Sequence, residues 1–214
     1  MTVTIHLVRH GEAVWNAEGK YQGQADSGLT ARGHQQAQEV AVTLQQLGRV
    51  DGVACSDLPR VRDTAVPFLA AMGHQARIDA RLREIDVGTW AGRTFADVAR
   101  DEPDVVAAVA RGADLRRGGG ETFAETRDRV SAALDALAAD HDPGAVLVVF
   151  SHGGPIRLAT AAALGLPSPG HHRIASPDNC SVTTLTWGPS QLLAYNCRTE
   201  RLTVPAPARQ EETA

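Results

Sequence analysis

An arginine and a histidine stand side by side at Arg9-His10, followed at once by Gly11, and a second histidine, His152, is followed by Gly153-Gly154. A neutral imidazole nitrogen can attack phosphorus without first shedding a proton, and a second imidazole can stabilise charged phosphoryl oxygens. Guanidinium forks match phosphate oxygens bidentately, and Arg60 falls in the first turn of an expected helix, where backbone N–H groups and the helix dipole favour anions. Glu84 supplies a carboxyl group able to protonate a departing alkoxide. Gathered around one crevice, Arg9, His10, Arg60, Glu84 and His152 would make a pocket for phosphoryl chemistry.

The elements expected to hold these residues alternate between strand and helix. Val3, Ile5, Leu7 and Val8 read as a short buried strand that ends just before Arg9-His10. Ala13 to Gly28 is polar and glycine-containing, the pattern of a loop. Thr30 caps a helix with Ala37, Val40, Ala41, Leu44 and Leu47 on one face, stopped by Gly48. Val50 to Cys55 is a second strand, and Pro59 opens a helix with Val61, Ala65, Phe68, Leu69 and Met72 inward, closed by Gly73. A weak strand near Gln75 to Ile78 precedes the charged loop carrying Glu84. Residues 92–120 break into two short helices around Pro103 and a glycine hinge at Gly118-Gly119-Gly120, an inserted helical lid. Thr122 to Asp140 is a long amphipathic helix. Ala145 to Phe150 is the continuous apolar run of a central parallel strand, followed by Ser151-His152-Gly153-Gly154-Pro155 and a helix from Ile156 to Leu164. Val182 to Trp187 and Gln191 to Cys197 form an expected antiparallel pair joined at Gly188-Pro189.

Alternating strands and helices predict an α/β fold, a three-layer α/β/α arrangement around a mostly parallel sheet. In such sheets ligands bind beyond the carboxyl ends of the strands, which is where Arg9, His10, Arg60 and His152 fall, with Glu84 at the rim. The 214 residues, 43% hydrophobic, predict a single domain over residues 1–204, and the Pro-, Gln- and Glu-rich stretch 205–214 reads as a disordered tail.

A net charge of −4 gives no global signal for nucleic acid or an anionic membrane, so an anion site has to be a local cluster of arginines. Cys55, Cys180 and Cys197 are odd in number and lack C-x-x-C spacing, which argues against a disulfide framework or zinc knuckle and fits a reducing cytoplasm. Neither a signal-peptide pattern nor a run of about 20 apolar residues is visible. The expected partner is a small phosphorylated substrate. A homodimer is compatible with the sequence, which leaves the oligomeric state unread.

Leu7-Val8-Arg9-His10-Gly11-Glu12 with Asn16, Gln22-Gly23, Leu29-Thr30-x-x-Gly33, Ser56-Asp57-Leu58-x-Arg60, Arg81-Leu82-Arg83-Glu84 with Gly88-x-Trp90-x-Gly92, Gly120-Glu121-Thr122 and Ser151-His152-Gly153-Gly154 occur in order up to about Cys197. This series resembles the histidine phosphatase (phosphoglycerate mutase-like) superfamily. The resemblance implies that His10 forms a phosphohistidine, that Arg9, Arg60 and His152 complete the phosphate pocket, and that Glu84 is the proton donor. It implies that Asn16, Gln22, Gly23 and the backbone around Gly153 contact the phosphate or the group bearing it. It calls for no metal and no cofactor. Val61 and Ala91 depart from the residues usual after the pocket arginine and the tryptophan, and the short loop after Trp90 favours a hydrolase over a mutase.

The leading expectation is therefore a metal-independent phosphatase of small phosphomonoesters. A phosphoryl-transferring mutase, a phospho-ligand binding module without turnover and a metallohydrolase built on His10, His152 and Glu84 are the alternatives, the last disfavoured by two arginines in one pocket. Arg62 competes with Arg60 for phosphate and is expected instead to pair with Asp57 or Asp63. His171-His172 lacks a ligand partner at metal spacing and reads as a solvated loop. Trp15, Tyr21 and Trp90 are candidates to wall the pocket.

Overall fold

The computed structural model describes residues 2–198, so the expected tail at 205–214 lies outside the described residues. A six-stranded sheet runs through the chain in the order β3-β2-β4-β1-β5-β6, with β1 at Val3–Arg9, β2 at Gly52–Cys55, β3 at Arg77–Ile78, β4 at Val146–Ser151, β5 at Val182–Trp187 and β6 at Gln191–Cys197. The β3-β2-β4-β1 portion is parallel, and β5 and β6 add antiparallel at one side. The helices are α1 (Val14–Ala17), α2 (Ala31–Gln45), α3 (Pro59–Met72), α4 (Phe95–Asp101), α5 (Pro103–Ala110), α6 (Phe123–Ala139) and α7 (Gly153–Ala163).

Strand β4 shows why the layers form. All six of its residues are buried, and because successive side chains leave a strand on opposite faces, Val148 and Phe150 enter one core while Leu147 and Val149 enter the other. Val40 and Leu44 of α2 and Val61, Ala65 and Phe68 of α3 cover the first face; Val130, Leu134 and Leu137 of α6 and Ile156 and Ala159 of α7 cover the second. Helix starts follow local chemistry: Thr30 Oγ accepts from Gly33 N at 3.0 Å, Pro59 needs no hydrogen-bond acceptor at the start of α3, and Thr122 and Glu125 make a reciprocal capping box on α6.

Residues 92–120 contain the two expected short helices, α4 and α5. Trp90 anchors them: it is buried among Ile85, Val87, Val98, Phe123 and Leu158, and its indole N–H donates to Glu102 Oε1 at 2.8 Å. Trp90 is thus a packing residue, and it does not wall the pocket. The loop expected over Ala13 to Gly28 contains the single turn α1, and the last long helix begins at Gly153 rather than Ile156, so that Gly153-Gly154-Pro155 form its first turn. Among the described residues, no helix is long and apolar enough to cross a membrane.

Candidate active site

Register brings the two histidines together. Arg9 of β1 pairs with Ser151 of the parallel neighbour β4, so His10 and His152 leave adjacent strands at the same level. Cys55 pairs with Phe150 on the other side of β4, which puts Ser56 and the start of α3 at the same sheet edge. The imidazole centroids lie 5.2 Å apart with their planes at 66°.

His10 is held on three sides. Its amide donates to Ser151 O at 3.0 Å, its carbonyl accepts from Asn179 Nδ2 at 2.9 Å, and its Nδ1 lies 2.7 Å from Gly11 O. A carbonyl only accepts, so Nδ1 carries the proton and the Nε2 lone pair is left for chemistry. Arg60 Nε donates toward that Nε2 at 3.4 Å, which is consistent with the same tautomer. Burial, then the Arg60 and Arg9 charges, push the His10 pKa well below the usual imidazole value, so the ring is neutral. His152 is likewise held well below it by burial and by Arg60. Its Nδ1 accepts from Arg60 Nη2 at 3.1 Å, so Nε2 is the protonated nitrogen and donates to Ser56 Oγ at 3.0 Å.

Arg60 is fully buried, and each of its donor nitrogens is engaged with the protein. Besides the two imidazoles it donates to Gly23 O at 2.7 Å, Ala25 O at 2.7 Å and Asp26 Oδ1 at 3.0 Å. It therefore ties the 23–26 loop to both histidines. Arg9 is different: Nη1 donates to Pro177 O at 2.5 Å, while its buried Nε has no acceptor. The unmet donor lies beside Gly153, where an added Cβ would stand 3.5 Å from Arg9 Nε. The first turn of α7 and Arg9 thus present N–H donors side by side, an arrangement able to receive an anion.

Glu84 closes the cavity. Its Oε1 accepts from Ile85 N at 2.9 Å and its Oε2 from Gly154 N at 3.2 Å. Asn16, Gln22 and Gly23 also line the cavity, which has a volume of about 270 Å³. The Gln22 amide donates to Ser27 Oγ at 3.0 Å, and its Oε1 is buried without a partner. All nine residues singled out in the sequence thus fall in or against one site: eight line the cavity, and His152 lies directly behind His10 and Arg60.

Several expectations change. Asp57 pairs with Arg83, and Arg62 is exposed without an ion pair to Asp57 or Asp63. His171 is buried and stacked on Phe123 at 3.3 Å between ring centroids, so it is a packing histidine. Tyr21 reaches the cavity, whereas Trp15 does not. Lys20 of the 13–28 loop and Phe95 and Arg117 of the 92–120 insertion stand in the cavity wall. Substrate-discriminating contacts are expected from these two segments, but no motif singles out these three residues; Phe123, Arg157 and Ser176 were missed. Arg157 carried a usable signal, being four residues beyond Gly153 and so one turn along the same helix face.

The sequence matches the histidine phosphatase superfamily (branch 1) over residues 5–197. It is 38% identical over 191 residues to a Salmonella paratyphi B protein named probable phosphoglycerate mutase GpmB, covering 89% of this chain and 87% of the relative. The structure is similar to a mycobacterial glucosyl-3-phosphoglycerate phosphatase, with a TM-score of 0.84, 30% identity, and coverage of 91% of this chain and 99% of that one. It is also similar to a putative alpha-ribazole-5'-P phosphatase from Escherichia coli K-12, with a TM-score of 0.81, 27% identity, and coverage of 94% and 99%. With a match across nearly all the described residues, and two strand-end histidines set around a buried arginine, the chain belongs to the histidine phosphatase superfamily.

Proposed function

We propose that this protein is a phosphatase of small phosphomonoesters that works through a phosphohistidine on His10, with Glu84 as proton donor. The observation that carries the reading is the state of His10: a neutral ring with Nδ1–H fixed on Gly11 O and an unprotonated Nε2 met by the long 3.4 Å contact from Arg60 Nε, which an incoming phosphoryl group displaces. Nε2 forms the N–P bond while the ester P–O bond breaks, and Glu84 passes its proton to the departing oxygen. Water then attacks phosphorus, Glu84 takes the water proton, the N–P bond breaks and inorganic phosphate leaves. Arg9 and the Gly153 amide hold the equatorial oxygens, and Arg60 keeps both imidazoles in place. The chemistry calls for no metal ion.

A screen of phosphate release over a metabolite panel tests this. His10→Ala is expected to lose about 10³-fold or more of the activity, as removal of a nucleophile does, and chelators are expected to leave wild-type activity intact. Undiminished release by His10→Ala overturns the reading. The name carried by the Salmonella relative favours a second reading, a mutase that returns the phosphoryl group to another hydroxyl in place of water. Isomerised phosphoglycerate formed without phosphate release is the result that would select it.

A further inference from the structure

Arg9, Arg60 and the start of α7 suffice to meet the charge of a phosphoryl group, yet the cavity wall holds Lys20, Arg117 and Arg157 as well, against a single carboxylate, Glu84. Lys20 is balanced by Glu18 at 2.7 Å. Arg157 donates from Nε to Ile174 O and from Nη2 to His171 O, both at 2.9 Å, and meets no carboxylate within ion-pair distance among the described residues.

Arg117 is the odder case. Its guanidinium carbon lies 3.7 Å over the Phe123 ring, and it makes no side-chain hydrogen bond or ion pair within the described residues. The two acids whose charge reaches it are already engaged: Glu84 accepts from Ile85 N and Gly154 N, and the two oxygens of Asp114 accept from Phe123 N at 2.6 Å and Ala124 N at 3.0 Å as a cap on α6. Burial pushes the Arg117 pKa down to about 10, so the charge is held at a cost. Stacking on an aromatic occupies one face of a guanidinium and leaves its N–H edge available. A partly buried cation that meets no carboxylate within ion-pair distance among the described residues, and shares the field of the one cavity carboxylate, Glu84, with Arg9, Arg60 and Arg157, is accounted for when the ligand brings further negative charge.

We infer that the substrate carries a second anionic group, a carboxylate or a further phosphate, on the alcohol side of the scissile ester, and that Arg117 with Arg157 forms its subsite. The inference rests on the phosphatase reading for the identity of the first anion. Tyr21, Phe95, Ile85 and Val87 supply the apolar wall of the same cavity and suit a short carbon spacer. The volume of about 270 Å³ fits a small two-anion metabolite.

Matched substrates test it: 2-phosphoglycolate against ethyl phosphate for a carboxylate, and fructose 1,6-bisphosphate against fructose 6-phosphate for a phosphate. The wild-type kcat/KM ratio within at least one pair is expected to favour the two-anion member by about tenfold or more, the effect of one charge-assisted contact. The pair with the larger ratio identifies the anion. In Arg117→Gln that ratio is expected to fall to within about threefold of unity, with Arg117→Lys in between and available should the glutamine variant fail to fold. Ratios near one for both wild-type pairs, or a ratio unchanged in Arg117→Gln, overturn the proposal.

Calorimetric binding of the same four compounds to His10→Asn, with and without Arg117→Gln, separates the two claims. Charge-selective binding that depends on Arg117 in a protein whose wild type shows no turnover rejects the phosphatase reading and keeps the subsite. Turnover without selectivity does the reverse.

Discussion

A methyl group added at Gly154 would stand 2.2 Å from Glu84 Oε1, so this glycine is what lets the carboxylate approach the first turn of α7. The atom in the way is the tip of a flexible side chain, and Gly154→Ala is therefore expected to fold normally while displacing Glu84. Loss of a proton donor falls on esters whose leaving group needs one. The expected result is a drop of about 10²-fold in kcat on an alkyl phosphate and a much smaller drop on 4-nitrophenyl phosphate; equal losses on both would contradict the role given to Glu84. The sequence pointed to Glu84 and Gly154 separately, and their contact, across a separation of 70 residues, was not legible in it. Arg60 was legible as a pocket cation, but its position between both imidazoles, Gly23, Ala25 and Asp26 was not.

Two elements brace the site from outside. Arg129 of α6 donates to Arg81 O at 2.8 Å, Arg83 O at 2.7 Å and Glu84 O at 2.8 Å, and it grips Glu121 through Nε and Nη2 at 2.8 Å each. One side chain thus fixes the backbone of the acid-bearing loop to the second helical layer. Arg129→Met leaves three carbonyls and a carboxylate without that donor and is expected to cost about 1–3 kcal/mol in urea unfolding. As a positioning residue it should also depress alkyl phosphate turnover more than 4-nitrophenyl phosphate turnover, a split that mere destabilisation would not produce. On the opposite face, α2 touches the loop that follows His10 backbone to backbone: a Cβ on Gly33 would come 2.2 Å from Glu12 O, and one on Gly11 2.5 Å from Gly33 O. Gly33→Ala has to part these backbones, with an expected loss of about 1–3 kcal/mol read as a lower urea midpoint. The motif contained both glycines, but only the packing of α2 explains why neither position has room for a side chain.

The whole molecule carries an acid sensitivity of its own. His6 sits inside the sheet with Nδ1 3.0 Å from Thr184 Oγ1 and Nε2 buried without a partner, and burial lowers its pKa from 6.5 to about 4. The unfolded chain takes up this proton first, so the stabilisation is complete above about pH 6.5 and is lost as pH falls toward about 4. His10 and His152, also lowered by burial, act in the same direction. Stability is expected to fall between pH 7.5 and 5, each histidine contributing a slope of at most about 1.4 kcal/mol per pH unit. In His6→Gln the difference in unfolding free energy between those two pH values is expected to shrink by up to about 2 kcal/mol; an unchanged difference would show that His6 is not a source of the sensitivity.

By itself the sequence determined the alternation of strands and helices, the family and the set of candidate site residues that the structure gathers at one cavity. Hydrophobic period and capping are local properties, and a parallel sheet places whatever follows its strands at one edge. Tertiary structure decided which donor meets which acceptor. Arg60 meets His152 across 92 residues, and Arg117 and Arg157 reach one cavity from separate elements. His171, in a stretch that reads as polar loop, is buried against Phe123. Such contacts depend on the register between elements distant in the chain and on how closely their backbones approach, and neither quantity is written in local pattern.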